Sequence, residues 1–252
     1  MPTFDATARL LSGETAIVTG AGRGIGRAIA RTFAAAGATV VCASRTKEQV
    51  EETADEIVRA GGLAVAQPAD VTRKEDAEAL VRRTLEATGR LDIVVNNAGV
   101  FVWKTLANLE EAEWDRILGT NLKAAYLLTH AALPALAKAG RGRIVNVSSI
   151  HGTVGDATVV AHCAAKFGLI GLTKALANEL RGIGVSVNAL CPGSTENKTR
   201  EEVTRPHEAP LKEKLNAEDV ADAALFLVSP AAASITGAVL DVWGGNRIAI
   251  QA

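Results

Sequence analysis

The feature that most constrains this chain is a rhythm of short apolar runs, each followed by a longer amphipathic stretch. The runs at 16–19, 39–43, 63–67, 91–95, 143–147, 185–190 and near 238–242 read as strands. Between them, 27–36, 47–60, 74–88, roughly 109–138, 159–181 and 217–228 read as helices, with Gly37, Gly61, Gly62 and Gly89 as stops. Strands that are apolar throughout, rather than alternating, belong in a sheet covered on both faces. Strand–helix alternation with right-handed crossovers makes that sheet parallel. The expected fold is one doubly wound α/β domain over 1–252, with about seven parallel strands flanked by helices. In such a fold ligands bind beyond the carboxyl ends of the strands, so functional residues are sought just after each apolar run.

Composition narrows the function classes. With 48% hydrophobic and 22% charged residues the chain suits a globular core. A net charge of −1 and the lack of a strong basic stripe argue against nucleic acid as a partner. No window holds eighteen consecutive apolar residues, so no membrane span is expected. The first thirteen residues lack the basic region and apolar run of a signal peptide. Cys42, Cys163 and Cys191 are far apart and match neither a disulfide framework nor zinc-ligand spacing. No metal site is expected, and a reducing cytoplasm is the expected compartment. Aromatics make up only 4% of the chain, and Tyr126 is its single tyrosine.

After the first run comes Thr19-Gly20-Ala21-Gly22-Arg23-Gly24-Ile25-Gly26, opening a helix. Glycines there allow a tight turn and close approach to a pyrophosphate, which the helix N-terminus attracts. Gly20, Arg23, Gly24, Ile25 and Gly26 are therefore expected dinucleotide contacts. The second strand ends Cys42-Ala43-Ser44-Arg45-Thr46, with no carboxylate to repel a 2′-phosphate. Ser44 and Arg45, with Arg23 across the turn, favour NADP(H) over NAD(H), which stays possible. The alternative for Arg45 is a solvated residue at a helix start. Asp70 and Val71 follow the third strand, where the carboxylate could accept from an adenine amino group or cap the turn near Thr72. Asn96-Asn97-Ala98-Gly99 ends the fourth strand, and small and amide residues there suit packing beside a cofactor.

Taken together, the glycine turn, Asn96-Asn97-Ala98-Gly99, Asn121, Ser148-Ser149, Lys166 and Pro192-Gly193 resemble the short-chain dehydrogenase/reductase family. The resemblance covers nearly the whole chain, from the 19–26 turn to Gly244-Gly245. It implies a single Rossmann-type domain, a homo-tetramer or dimer, and hydride transfer between a nicotinamide and an alcohol or carbonyl carbon. A secondary alcohol or ketone is the implied substrate, 3-oxoacyl compounds included. It assigns cofactor contacts to Asn97, Ala98, Gly99, Lys166, Pro192, Gly193 and Thr195. The family's threonine four residues after the glycine is Asn197 here, and 194–216 is expected to form a short substrate lid.

The family's catalytic set is Asn, Ser, Tyr and Lys. Asn121, Ser149 and Lys166 match three of them, but the tyrosine position holds His162, thirteen residues after Ser149 and four before Lys166. The resemblance makes Ser149 the substrate-oxygen partner, Lys166 the ribose contact and Asn121 a proton-relay residue. Positions 162 and 166 share a helix face, so the geometry survives the exchange. The chemistry does not, because a model tyrosine titrates near 10 and a model histidine near 6.5. Lys166 and an oxidised nicotinamide would push His162 toward neutral, making it a base for alcohol oxidation but a rarely protonated acid for carbonyl reduction. Three readings stand open: His162 is the working acid/base with an altered pH profile, the protein binds cofactor with little turnover, or the histidine is an engineered change to an ordinary enzyme. His151, two residues after Ser149, is a further candidate or an ordinary polar loop residue. Cys163 reads as a small helix residue facing away, and His130 and His207 carry no motif. Phe101 and Trp103 are candidates for an apolar pocket mouth, for packing or for a subunit contact.

Overall fold

A computed structural model describes residues 9–195 and 215–243. Asn197, His207, Gly244, Gly245 and most of the expected lid, 196–214, lie outside the described residues. Seven strands, β1 (Thr15–Thr19), β2 (Thr39–Ser44), β3 (Leu63–Pro68), β4 (Ile93–Asn96), β5 (Gly142–Val147), β6 (Val185–Pro192) and β7 (Val239–Val242), form one sheet. All pairs are parallel, in the order β3-β2-β1-β4-β5-β6-β7. The helices are α1 (Gly24–Ala35), α2 (Lys47–Arg59), α3 (Lys74–Thr88), α4 (Glu111–Leu118), α5 (Ala124–Lys138), α6 (Val160–Leu180) and α7 (Ala217–Val228).

The apolar runs are explained by two cores, one on each face of the sheet. Ala16, Val18, Val40, Cys42, Ile93, Val95, Val145 and Val147 pack with α1, α2 and α7. Their strand neighbours Ile17, Val41, Ala43, Val94 and Ile144 pack with α3, α5 and α6. Successive side chains point to opposite faces, so a strand buried on both must be apolar at every position. At the edges the rule relaxes: every residue of β3 and of β7 is at least partly exposed. α6 is long and apolar enough over Val160–Ile183 to cross a membrane by length and composition alone. In this fold it is a core helix, with Ala165, Leu169, Ile170, Thr173 and Ala177 buried.

The region 109–138, expected as one helical stretch, is divided. α4 and α5 are joined by a π-helical turn, Gly119–Lys123, which carries the buried Asn121. A π turn widens the helix locally and re-aims a side chain, and such turns recur at functional sites. At the amino end of the sheet, Asp92 is 2% exposed. It accepts from Thr15 N at 2.8 Å and from Arg90 Nε and Nη2 at 2.8 and 2.7 Å. The chain winds outward in opposite directions from β1 and β4, so a crevice opens at their carboxyl ends, as expected for a ligand site.

Candidate active site

The first component is the turn between β1 and α1. Gly20 and Gly24 hold φ of 65° and 56°, a region that glycine adopts without steric cost. A Cβ on Gly20 would sit 2.8 Å from Asn97 Nδ2, and one on Gly26 would strike the Gly20 carbonyl oxygen. The turn is fastened to β4. Thr19 Oγ1 donates to Val95 O at 3.1 Å and accepts from Asn97 N and Ala98 N at 2.9 and 3.0 Å. Asn97 Nδ2 donates to Thr19 O at 2.9 Å. Asn97 thus shapes the glycine cradle with its side chain, a role its position in the sequence did not show. The first turn of α1 has no acidic residue, so its positive end is left for an anion. Arg23 and Arg45 are exposed, Ser44 is half-buried, and Ser44 Oγ donates to Thr46 O at 3.3 Å. Asp70 Oδ1 accepts from Thr72 N and Oγ1 at 3.1 and 2.7 Å, the turn-capping role of the two anticipated. Val71 beside it is buried in the core that includes α3.

The second component lies beyond β5. Lys166, on α6, is 5% exposed, and its Nζ donates to Val147 O at 2.7 Å. Burial lowers its pKa from 10.5 to about 8. Ser148 Oγ donates to Lys166 O at 3.0 Å, so α6 is tied twice to the end of β5. Ser149, more exposed than Ser148, accepts from His151 N at 3.2 Å and opens a short 3₁₀ turn, Ile150–Gly152. Pro192 ends the adjacent β6 and Gly193 and Thr195 follow it, with Gly193 N donating to Val242 O at 3.0 Å. Cys191 beneath them is buried, which raises its thiol pKa to about 11, so it stays a neutral thiol at pH 7.

His162 stands one helical turn before Lys166 and is 7% exposed. Its Nδ1 is 3.2 Å from Asn121 Nδ2. Asn121 is fixed in turn by Val100: its Oδ1 accepts from Val100 N at 2.7 Å and its Nδ2 donates to Val100 O at 2.8 Å. A Cβ on Gly99 would lie 3.2 Å from Asn121 Oδ1, so the small residue lets Asn121 approach the end of β4. Phe101 packs edge-on against His162, ring centroids 4.7 Å apart, and against Trp103 at 4.5 Å. The His151 ring lies 5.8 Å from that of His162, and its Nε2 is 3.4 Å from Asp156 Oδ2.

The fold therefore joins Asn121 to His162, places Lys166 beside them on α6, and sets the 3₁₀ turn after Ser149 against the same wall. Phe101 and Trp103 form part of that wall. Asp156 is a contributor that sequence reasoning missed, since Gly155-Asp156-Ala157 matches no motif. Tyr126 is remote in role: it lies on α5, 50% exposed, beside His130. Cys163 faces the backbone oxygens of Val154 and Asp156, at 3.8 and 3.9 Å.

An open α/β sheet with a glycine cradle at its switch point and a buried lysine on the neighbouring helix defines a dinucleotide-dependent class of enzyme. The short chain dehydrogenase family model matches residues 14–208, and the chain belongs to the short-chain dehydrogenase/reductase family, whose members are oxidoreductases. It is 38% identical to a 3-oxoacyl-[acyl-carrier-protein] reductase of Vibrio harveyi, over 93% of this chain and 98% of that one. It is 35% identical to a D-beta-hydroxybutyrate dehydrogenase of Rhizobium meliloti, over 92% and 98%. A ketoacyl reductase of Nostoc sp. is 43% identical over 73% of this chain and 64% of its own length. A solved structure described as a short-chain alcohol dehydrogenase of Sinorhizobium meliloti 1021 superposes with a TM-score of 0.88 at 38% identity, covering 94% of this chain and 98% of that one.

Proposed function

We propose that this enzyme interconverts a 3-oxoacyl-type ketone and the corresponding secondary alcohol, with NADP(H) preferred over NAD(H). The observation that carries the reading is His162, tied to Asn121 at 3.2 Å and one turn from buried Lys166. An imidazole thus occupies the position from which a substrate oxygen would be hydrogen-bonded. The names of the Vibrio and Rhizobium relatives, one a 3-oxoacyl reductase and one a 3-hydroxyacid dehydrogenase, supply the substrate class.

The residues fit a nicotinamide dinucleotide. Gly20 and Gly26 leave a hollow that a Cβ would fill, and the uncompensated start of α1 would hold the pyrophosphate. Arg45, Ser44 and Arg23 would hold a 2′-phosphate. Lys166 would contact the ribose, and Pro192, Gly193 and Thr195 would flank the nicotinamide. When bound, the cofactor supplies the hydride. The chain itself supplies orientation and protons: Ser149 holds the substrate oxygen, Phe101 and Trp103 exclude water, and His162 hydrogen-bonds the oxygen.

The free cysteines among the described residues, two of them buried, agree with a reducing cytoplasm. A homo-oligomer is supported by α5 and α6, both apolar around most of their circumference, with Tyr126 50% and Phe167 46% exposed. The reading is tested by assaying the protein and His162→Tyr against 3-oxoacyl thioesters, ketones and secondary alcohols at several pH values. Turnover by the parent is expected. A parent inert at every pH beside an active tyrosine variant refutes catalysis through His162. Fluorescence titration checks the cofactor: Arg45→Ala should weaken NADPH binding about tenfold or more and leave NADH nearly unchanged. Tighter NADH binding, insensitive to Arg45→Ala, overturns the preference.

A further inference from the structure

We propose that two imidazoles divide the proton chemistry of this site: His162 acts as a neutral Nε2–H donor fixed by Asn121, and His151, ion-paired with Asp156, is the proton source for carbonyl reduction. The inference rests on the oxidoreductase reading and assigns its acid to a residue outside the family's catalytic set.

The first half follows from hydrogen-bond bookkeeping at Asn121. Its Oδ1 accepts from Val100 N and its Nδ2 donates to Val100 O, so only one orientation of the amide satisfies both. The second Nδ2 hydrogen is then directed to His162 Nδ1, 3.2 Å away. An amide nitrogen cannot accept, so Nδ1 must carry its lone pair, and the proton of neutral His162 is on Nε2. Protonating Nδ1 would set two donors against each other in a buried site. His162 can therefore hydrogen-bond a substrate oxygen and polarise the carbonyl. It has no second proton to give.

The second half follows from Asp156. Its Oδ1 is occupied by Thr158 N and Oγ1, at 2.8 and 2.7 Å, which turns Oδ2 toward His151 Nε2 at 3.4 Å. His151 is only 5% exposed, so burial favours its neutral form, and the Asp156 carboxylate beside it opposes this by favouring the imidazolium. Asp156 of its own loop and His162 of α6 face its ring; on α6, Cys163 lies against Asp156 O and Lys166 stands one turn after His162. Burial raises the Cys163 thiol pKa, so it adds no charge at neutral pH. The rings of His151 and Phe101 are 6.3 Å apart, and both adjoin His162, so the three share one pocket wall.

The step balances. A bound reduced nicotinamide would supply a hydride with its electron pair to the carbonyl carbon. The carbonyl π pair moves to oxygen, which takes a proton as an N–H bond of the His151 imidazolium breaks and an O–H bond forms. Ketone would be reduced to alcohol, a bound reduced nicotinamide would supply both electrons, and neutral His151 would regain a proton from solvent, the one proton the overall reduction consumes. His162 keeps its proton throughout.

Nitrogen-15 NMR of the histidine-labelled protein, assigned with His151→Gln and His162→Gln, reads the protonation pattern without turnover. The expected pattern is a neutral His162 protonated on Nε2 only and a His151 that stays doubly protonated above the ordinary histidine range. Kinetics of ketone reduction with NADPH supply the second readout. His151→Gln should lower kcat about 100-fold or more with KM nearly unchanged. Asp156→Asn should lower kcat about tenfold at pH 7 and move its alkaline limb to lower pH, because the cation has lost its carboxylate. A His162 protonated on Nδ1, or a His151→Gln enzyme with the parent's kcat and pH profile, overturns the assignment. If the parent shows the expected spectra but reduces no carbonyl, the oxidoreductase reading fails and the transfer step with it. If an active parent shows the reverse spectra, only the division of roles fails.

Discussion

Lys166 is a buried cation with no carboxylate ion-paired to it among the described residues, and replacing it should make the free protein more stable. Its pKa is about 8 in the fold against 10.5 for the model group, with desolvation the leading cause. At pH 7 both the folded and unfolded states hold the proton, so the full penalty of the charged form applies, about 3 kcal/mol. Above pH 8 the folded protein releases the proton while the unfolded chain keeps it. Parent stability from this group therefore rises with pH, and the penalty falls to about 2 kcal/mol at pH 9. Lys166→Met removes the penalty but also the hydrogen bond to Val147 O, a loss of about 1 kcal/mol. The net gain at pH 7 is about 2 kcal/mol, or roughly 4–8 °C in Tm for a domain of this size. Scanning calorimetry of both proteins at pH 7 and pH 9, without cofactor, measures it. The variant should melt higher at pH 7, with the gap narrowing at pH 9, and should lose carbonyl reduction. A variant melting at or below the parent at pH 7, or a gap that fails to narrow, refutes the reasoning. Such a lysine is held against its own stability, as expected where function requires the charge.

Two further perturbations test the cradle and the far end of the sheet. Gly26→Ala places a methyl against the Gly20 carbonyl, so the turn must shift; a Tm drop of roughly 4–8 °C and NADPH affinity reduced at least tenfold are expected, from calorimetry and fluorescence titration. Asp92→Ala strips Thr15 N–H of its acceptor and Arg90 of its partner at the buried amino end of β1. Denaturant unfolding should show a loss of about 2–3 kcal/mol, while kcat, set at the opposite edge of the sheet, should change little.

What the sequence determined by itself is what local chemistry can encode. Apolar runs without alternation require burial on both faces, as in this parallel sheet with a core on each side, and the amphipathic patterns over 74–88 and 217–228 coincide with α3 and α7. The Gly20–Gly26 turn was legible because positive φ and close backbone contact demand glycine in any context. Asn121, Ser149, His162 and Lys166 were singled out by the resemblance to the family's catalytic set, which implies a tyrosine where position 162 holds histidine. What only the tertiary structure decided are pairings between residues distant in the chain. Asn121 meets His162 because a π turn interrupts what the periodicity presents as one helix, and Val100 then fixes which way its amide faces. Asn97 supports the glycine turn across 78 positions. Asp156 reaches His151 through a loop with no periodic signal. Burial, which lowers the Lys166 pKa, is likewise a property of the packed fold, because desolvation depends on everything around a group and not on its neighbours in sequence.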